Sequence, residues 1–338
     1  MYRPSLKQLS ISATVLLALI FPQLGFKSYY LHIAILALIN IFLALGLNVI
    51  AGYAGQLSLA QAAFFGIGSY TSALLMLNFG LAFWLAAVAG ILSAMLVAVV
   101  FGLPTLRLKG PYFVIATLGF GEIVRLILLN WDRVTRGPNG LIGIPSPNPI
   151  PLGVATLRFD SKIGMYYLIL VILLAVLVLY RNFVNSKINR ALRAIHDDQI
   201  AAEVMGINLT FYKIVAFAAG AGLSGLAGAL YASYIRFISP DTFTIGEAIN
   251  ILIMMVLGGM GTIVGPVIGA VGITYLLESM RFFQNYRLVI YGLAMFVMIL
   301  YMPGGLVGAV NSTRERITTA WTNRKRALTK AVAARKDL

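Results

Sequence analysis

The 338-residue chain has no cysteine and is short of acid, with 11 Asp and Glu against 26 Lys and Arg. Without cysteine there is no disulfide framework and no thiol chemistry. The two histidines, His32 and His196, lie far apart and no HExxH stretch occurs, so no metal site is expected. No GxxxxGKS/T stretch occurs either, so this chain carries no phosphate-cradling loop and hydrolyses no nucleotide. No catalytic group and no cofactor is expected. Charged residues make up 11 per cent of the chain, against about 25 per cent in a soluble domain. Hydrophobic residues make up 60 per cent, and the mean hydropathy is +0.89.

What is present is a series of long apolar runs. A hydrocarbon core takes about 20 helical residues per crossing, so the length allows roughly ten spans with short loops. The fold class expected is an all-α polytopic membrane protein of about ten transmembrane helices. The runs fall at 9–26, 29–50, a third ending near 77, 81–103, 111–130, 163–180, 213–234, 245–257, a ninth ending near 279, and 288–302. Arg3 and Lys7 precede the first run with no small-residue cleavage site after it, so that run reads as a retained anchor. Residues 131–162, with prolines in PSPNPIPLG, read as an irregular surface loop. The transmembrane body would cover 1–312, and 313–338 form a basic tail with eight Lys or Arg and two acids.

The net charge of +15 could suggest nucleic acid, but the basic residues cluster in short loops and the tail, as orientation signals do. No nucleic-acid partner is expected; membrane lipid is. With the N-terminus inside, Arg107 and Lys109, the segment 181–213 and the tail all fall on the inner face, as does the C-terminus. Arg281 and Arg287 then fall outside, against the rule.

The segment 181–213 is too charged for lipid, where a charge at a helix centre costs roughly 2.5–3.5 kcal/mol on insertion scales. Asp197 or Asp198 can cap a short helix, and Ile200, Ala201, Val204 and Met205 make one apolar stripe. Gly206 supplies a left-handed stop. Such a helix is too short to stand alone and would dock in a groove of a partner. The alternative is a solvated loop between spans.

Residues 51–70, AGYAGQLSLAQAAFFGIGSY, hold Gly52, Gly55 and Gly66 interleaved with Gln56, Ser58 and Gln61. A polar, glycine-broken entry to a span points to a substrate path; glycines that only let helices approach closely are the alternative. Gly52, Gly55, Gly66 and Ile67 match Gly258, Gly261, Gly272 and Ile273 at an offset of 206, an echo that implies two weakly related halves. Glu122 and Arg125, one turn apart inside the fifth run, form either a structural ion pair or part of the path. A self-powered secondary transporter would need such groups at mid-membrane. An intramembrane enzyme is disfavoured, because no catalytic groups converge.

Residues 46–75, GLNVIAGYAGQLSLAQAAFFGIGSYTSALL, resemble the N-terminal signature of branched-chain amino acid ABC importer permeases, and 190–208, RALRAIHDDQIAAEVMGIN, resemble their coupling segment. GLAGALYA at 225–232 and GGMGTIVGPVIGAV at 258–271 fit as well, over most of the chain. The closer subfamily is the M-type permease. The resemblance implies an ABC-importer permease fold and a heterodimer with a sister permease in a bacterial inner membrane. It also implies two cytoplasmic ATPases and a periplasmic binding protein that delivers Leu, Ile or Val. It assigns ATPase coupling to Asp198, Ala201, Ala202, Glu203 and Gly206. Members of the family that move urea, short amides or other amino acids leave the cargo open.

Overall fold

The computed structural model describes residues 18–24, 28–108, 110–152, 155–157, 159–280 and 292. Ten helices carry the architecture of this part: α1 Ser28–Leu47, α2 Gln61–Phe79, α3 Phe83–Thr105, α4 Pro111–Asn130, α5 Lys162–Val184, α6 Lys187–Asp197, α7 Gln199–Val204, α8 Leu209–Ile235, α9 Ile245–Gly258 and α10 Val264–Ser279. Seven helical stretches among the described residues are long and apolar enough to cross a membrane; α10, at 16 residues, is a shorter apolar helix. The expected span at 288–302 (apart from residue 292), eleven of the eighteen residues of the one at 9–26, and the basic tail lie outside the described residues.

The apolar runs set the helices, and polar breaks end them. α1 continues through a π-helical turn, Asn48–Tyr53, so the second apolar run is longer than its sequence boundary suggests. Pro111 starts α4, where its missing N–H costs nothing. Ser161 caps α5 by accepting from the Gly164 N–H. The connection between α4 and α5 has no layer of its own. It holds a one-turn helix and short strands: β1 Leu141–Ile142, β2 Ile150–Leu152 and β3 Ala155–Leu157, with β2 and β3 forming a hairpin. β1 pairs antiparallel with β4, Phe237–Ile238, just after α8.

The core sits around α1 and α8. Phe42, Leu43, Leu45 and Leu47 of α1 are fully buried, as are Phe217, Ala221, Ala227 and Leu230 of α8. The small residues of α8 let three backbones cross: a Cβ on Gly68 of α2 would lie 2.4 Å from the Gly225 Cα, and one on Gly225 would lie 2.8 Å from the Gly90 carbonyl of α3. α4 is the least covered of the spans and presents Tyr112, Ile115, Ile123, Leu126 and Ile127 outward.

Candidate functional site

The segment between α5 and α8 is two helices, not the single short one expected. Ser186 caps α6 through the Asn189 N–H. Asn189, Ala191, Leu192 and Ile195 turn its inner face onto the body. The Arg193 guanidinium stands 5.4 Å from the centre of the Tyr53 ring, a cation–π contact that ties α6 to the end of α1. At α7 the structure selects Asp198 as the cap, since its carboxylate accepts from the N–H groups of Ile200 at 2.8 Å and Ala201 at 3.1 Å. Gly206, at φ +82°, closes the helix. Its N–H donates to the Glu203 carbonyl and the Ile207 N–H to that of Ala202, a Schellman end. Buried Lys213 of α8 donates to Gln199 at 3.0 Å and pins the start of α7.

The two alanines, expected to meet a partner together, part ways. Ala202 is 3 % exposed and packs inward, so it seats α7 on its own subunit. Ala201 and Glu203 point outward, and beside them Ile200, Val204 and Met205 are 72 %, 82 % and 81 % exposed. The segment thus holds three large apolar side chains clear of its own body.

Next to this platform the two glycine-rich copies touch. Gly55 and its counterpart Gly261 both take a positive φ, +69° and +70°. A Cβ on Gly52 would lie 2.7 Å from the Gly261 nitrogen, and one on Gly55 would lie 3.2 Å from the His196 ring of α6. Asn48 holds the junction. Its Nδ2 donates to the Tyr180 hydroxyl and the Thr262 carbonyl, both at 2.8 Å, and its Oδ1 accepts from the Gly261 N–H at 2.8 Å. Sequence reading missed Asn48, Tyr180 and Arg193, although a lone Asn inside an apolar run was a visible signal. Asn48→Leu should strand the Thr262 carbonyl and the Gly261 N–H, at about 1–3 kcal/mol each, while the Tyr180 hydroxyl keeps the Leu45 carbonyl. It should lower the thermal midpoint of purified protein by several degrees; an unchanged midpoint would show that the junction bears no load.

The other path candidates are packed inside the subunit. Gln56, Ser58 and Gln61 are buried, and Gly66 lies against the Phe243 ring. Ser224 donates to the Gln61 Oε1 at 2.6 Å. Gln61 Nε2 and Gln56 Oε1 are buried with no partner among the described residues. Glu122 is brought to Arg125: the guanidinium donates from Nε at 3.0 and 3.1 Å and from Nη2 at 2.5 Å. Asp241, which sequence reading passed over, stands 3.8 Å from the same guanidinium. No group of His, Cys, Asp or Glu able to hold a metal occurs among the described residues.

Comparison with known proteins decides the family. The family model described as branched-chain amino acid transport system / permease component matches residues 29–301. This chain belongs to that family. LivM of Salmonella typhimurium, a high-affinity branched-chain amino acid transport system permease protein, is 35% identical over 320 residues, 89% of this chain and 75% of the relative. LivH of the same organism is 27% identical over 285 residues, 79% of this chain and 90% of the relative. LsrC of Salmonella paratyphi B, an autoinducer 2 import system permease protein, is 30% identical over 210 residues, 59% of this chain and 56% of the relative. No solved structure matches significantly. The chain is therefore a multi-pass inner-membrane protein, the permease component of a transport system rather than a catalytic enzyme.

Proposed function

We propose that this permease is the M-type subunit of an ATP-driven importer for Leu, Ile and Val. It shares the translocation path with an H-type sister permease. Two separate ATPase subunits drive it, and a periplasmic binding protein feeds it. α6 and α7 lie on the cytoplasmic face, where both termini also lie. The observation that carries this reading is the α7 stripe of Ile200, Val204 and Met205, apolar, exposed and held rigidly by Asp198, Ala202 and Gly206. A solvated loop has no reason to display such a stripe, whereas a helix docking in a groove needs one. Ala201 and Glu203 flank the contact. Gly52 and Gly55 carry movement of α6 to the glycine-rich turns, and Gln56, Ser58, Gln61, Gly66 and Glu122 belong to the path side of the same entry. The unspent hydrogen-bonding capacity of Gln56 and Gln61 supports that assignment.

The test is uptake into vesicles holding the complete complex, with and without internal ATP, against a competitor panel of leucine, isoleucine, valine, urea and acetamide. Uptake should require ATP, and the three branched-chain amino acids should compete. Uptake without ATP would favour a self-powered carrier, and competition by urea or acetamide alone would move the cargo elsewhere in the family.

A further inference from the structure

Glu122 and Arg125 sit roughly 17 and 21 Å along α4 from Pro111, well inside the span and toward the end away from α6 and α7. They sit on the least covered helix, where charges facing lipid would be costly. The pair is not closed. Glu122 occupies Nε and Nη2 of Arg125, leaving Nη1 turned toward Asp241 Oδ1 at 3.8 Å, too far for a hydrogen bond. Asp241 is on the short 3-10 turn Pro240–Thr242 that leads into α9, with its side chain 74 % exposed. That carboxylate accepts no hydrogen bond among the described residues. Beside the trio, a narrow and mostly apolar cleft, with room for little more than a water, runs between α4 and α9, lined by Leu59, Leu118, Gly121, Phe243 and Ile245 and by the polar Thr244.

One guanidinium edge and one exposed carboxylate that accepts no hydrogen bond among the described residues, side by side at the mouth of a mostly apolar cleft, match the parts of an aliphatic α-amino acid. We propose that Arg125 and Asp241 form a zwitterion contact on the translocation path. Arg125 Nη1 donates to the substrate carboxylate, Asp241 accepts from its ammonium group, and Glu122 holds the guanidinium in place as a positioning residue. The branched side chain lies over the apolar rim of the cleft. Urea and simple amides, which carry no charge, gain nothing from either group, so the trio selects amino acids over neutral cargo. The inference rests on the importer reading above and adds to it the residues that read the cargo's charge.

The test uses the complete complex in vesicles, with leucine as probe and leucine-loaded binding protein titrated from the outer side. Asp241 is exposed, so its replacement spares the fold. Asp241→Asn should lower the maximal rate of leucine uptake at least tenfold, while the binding-protein concentration for half-maximal rate stays within twofold. Asp241→Glu, which keeps the charge, should retain more than half of the wild-type rate. A maximal rate within twofold of wild type in Asp241→Asn overturns the proposal. A loss explained by a shifted half-maximal concentration also overturns it, because it places Asp241 in the binding-protein dock. Equal loss in the Asn and Glu variants overturns it by making Asp241 a local structural residue. The wild-type arm tests the reading beneath separately: a wild-type complex that takes up urea and not leucine overturns both.

Discussion

Gly68→Val should remove folded permease from the membrane. The position offers no room, since the new Cβ would stand 2.4 Å from both the Cα and the carbonyl oxygen of Gly225. Those are backbone atoms in the middle of α8, so no rotamer change relieves the contact. Either α2 and α8 separate along their length or the crossing with α3 at Gly90 opens too. Overpacking of a core costs about 1–3 kcal/mol when side chains can adjust, and a backbone-on-backbone collision belongs at or above the top of that range. Gly272→Ala is the matched control, because nothing described lies within 4 Å of its Cβ and Ala favours a helix interior over Gly by about 1 kcal/mol. Monodisperse yield in detergent and the thermal midpoint should collapse for Gly68→Val and hold or rise for Gly272→Ala. Equal behaviour of the two variants would mean that the three-glycine crossing is not what holds the helices together.

Val204→Glu should leave the permease folded and silence the pump. Val204 is 82 % exposed, so the variant loses little packing of its own. In a docked complex the same position is covered, and a carboxylate carried into an apolar groove without a partner costs several kcal/mol. ATP hydrolysis stimulated by loaded binding protein should then fall at least tenfold, with uptake. Ala202→Leu should act through a different step. Its side chain has no space on the inner side of α7, so the helix lifts from its seat and folded yield suffers before coupling does. If both variants lost yield alike, the stripe would be part of the fold and not of an interface.

The apolar runs at 29–50, 81–103 and 111–130 read almost directly as α1, α3 and α4, because a bilayer asks for little more than length and hydropathy. The cap at Asp198 and the stop at Gly206 were legible for a similar reason: both act within one helical turn. α6 was not legible although Leu192 and Ile195 follow helical spacing, since its apolar face is narrow and interrupted in sequence by Lys187, Arg190 and Arg193. The inward turn of Ala202 was not legible, because methyl groups mark neither a core nor a groove until the neighbouring helix is placed. Of the glycine echo, Gly55 and Gly261 both take a positive φ, whereas Gly66 packs on Phe243 and Gly272 has no described atom within 4 Å of its Cβ position. Asn48 with Thr262, and Arg125 with Asp241, join residues more than a hundred positions apart, a relation no local pattern contains.

The absence of cysteine allows the most direct test of the coupling claim, since every introduced thiol is unique in this chain. The measurement is site-specific cross-linking from Val204→Cys, Met205→Cys and Ala202→Cys to the ATPase subunits in the assembled complex, using a short thiol-reactive reagent. Covalent permease–ATPase product from positions 204 and 205, and none from 202, is the result expected of a helix that shows one face to the motor and keeps the other on its own body. Product from none of the three positions, in a complex that still hydrolyses ATP on stimulation, would contradict it and leave α7 as a cytoplasmic turn with no part in driving transport.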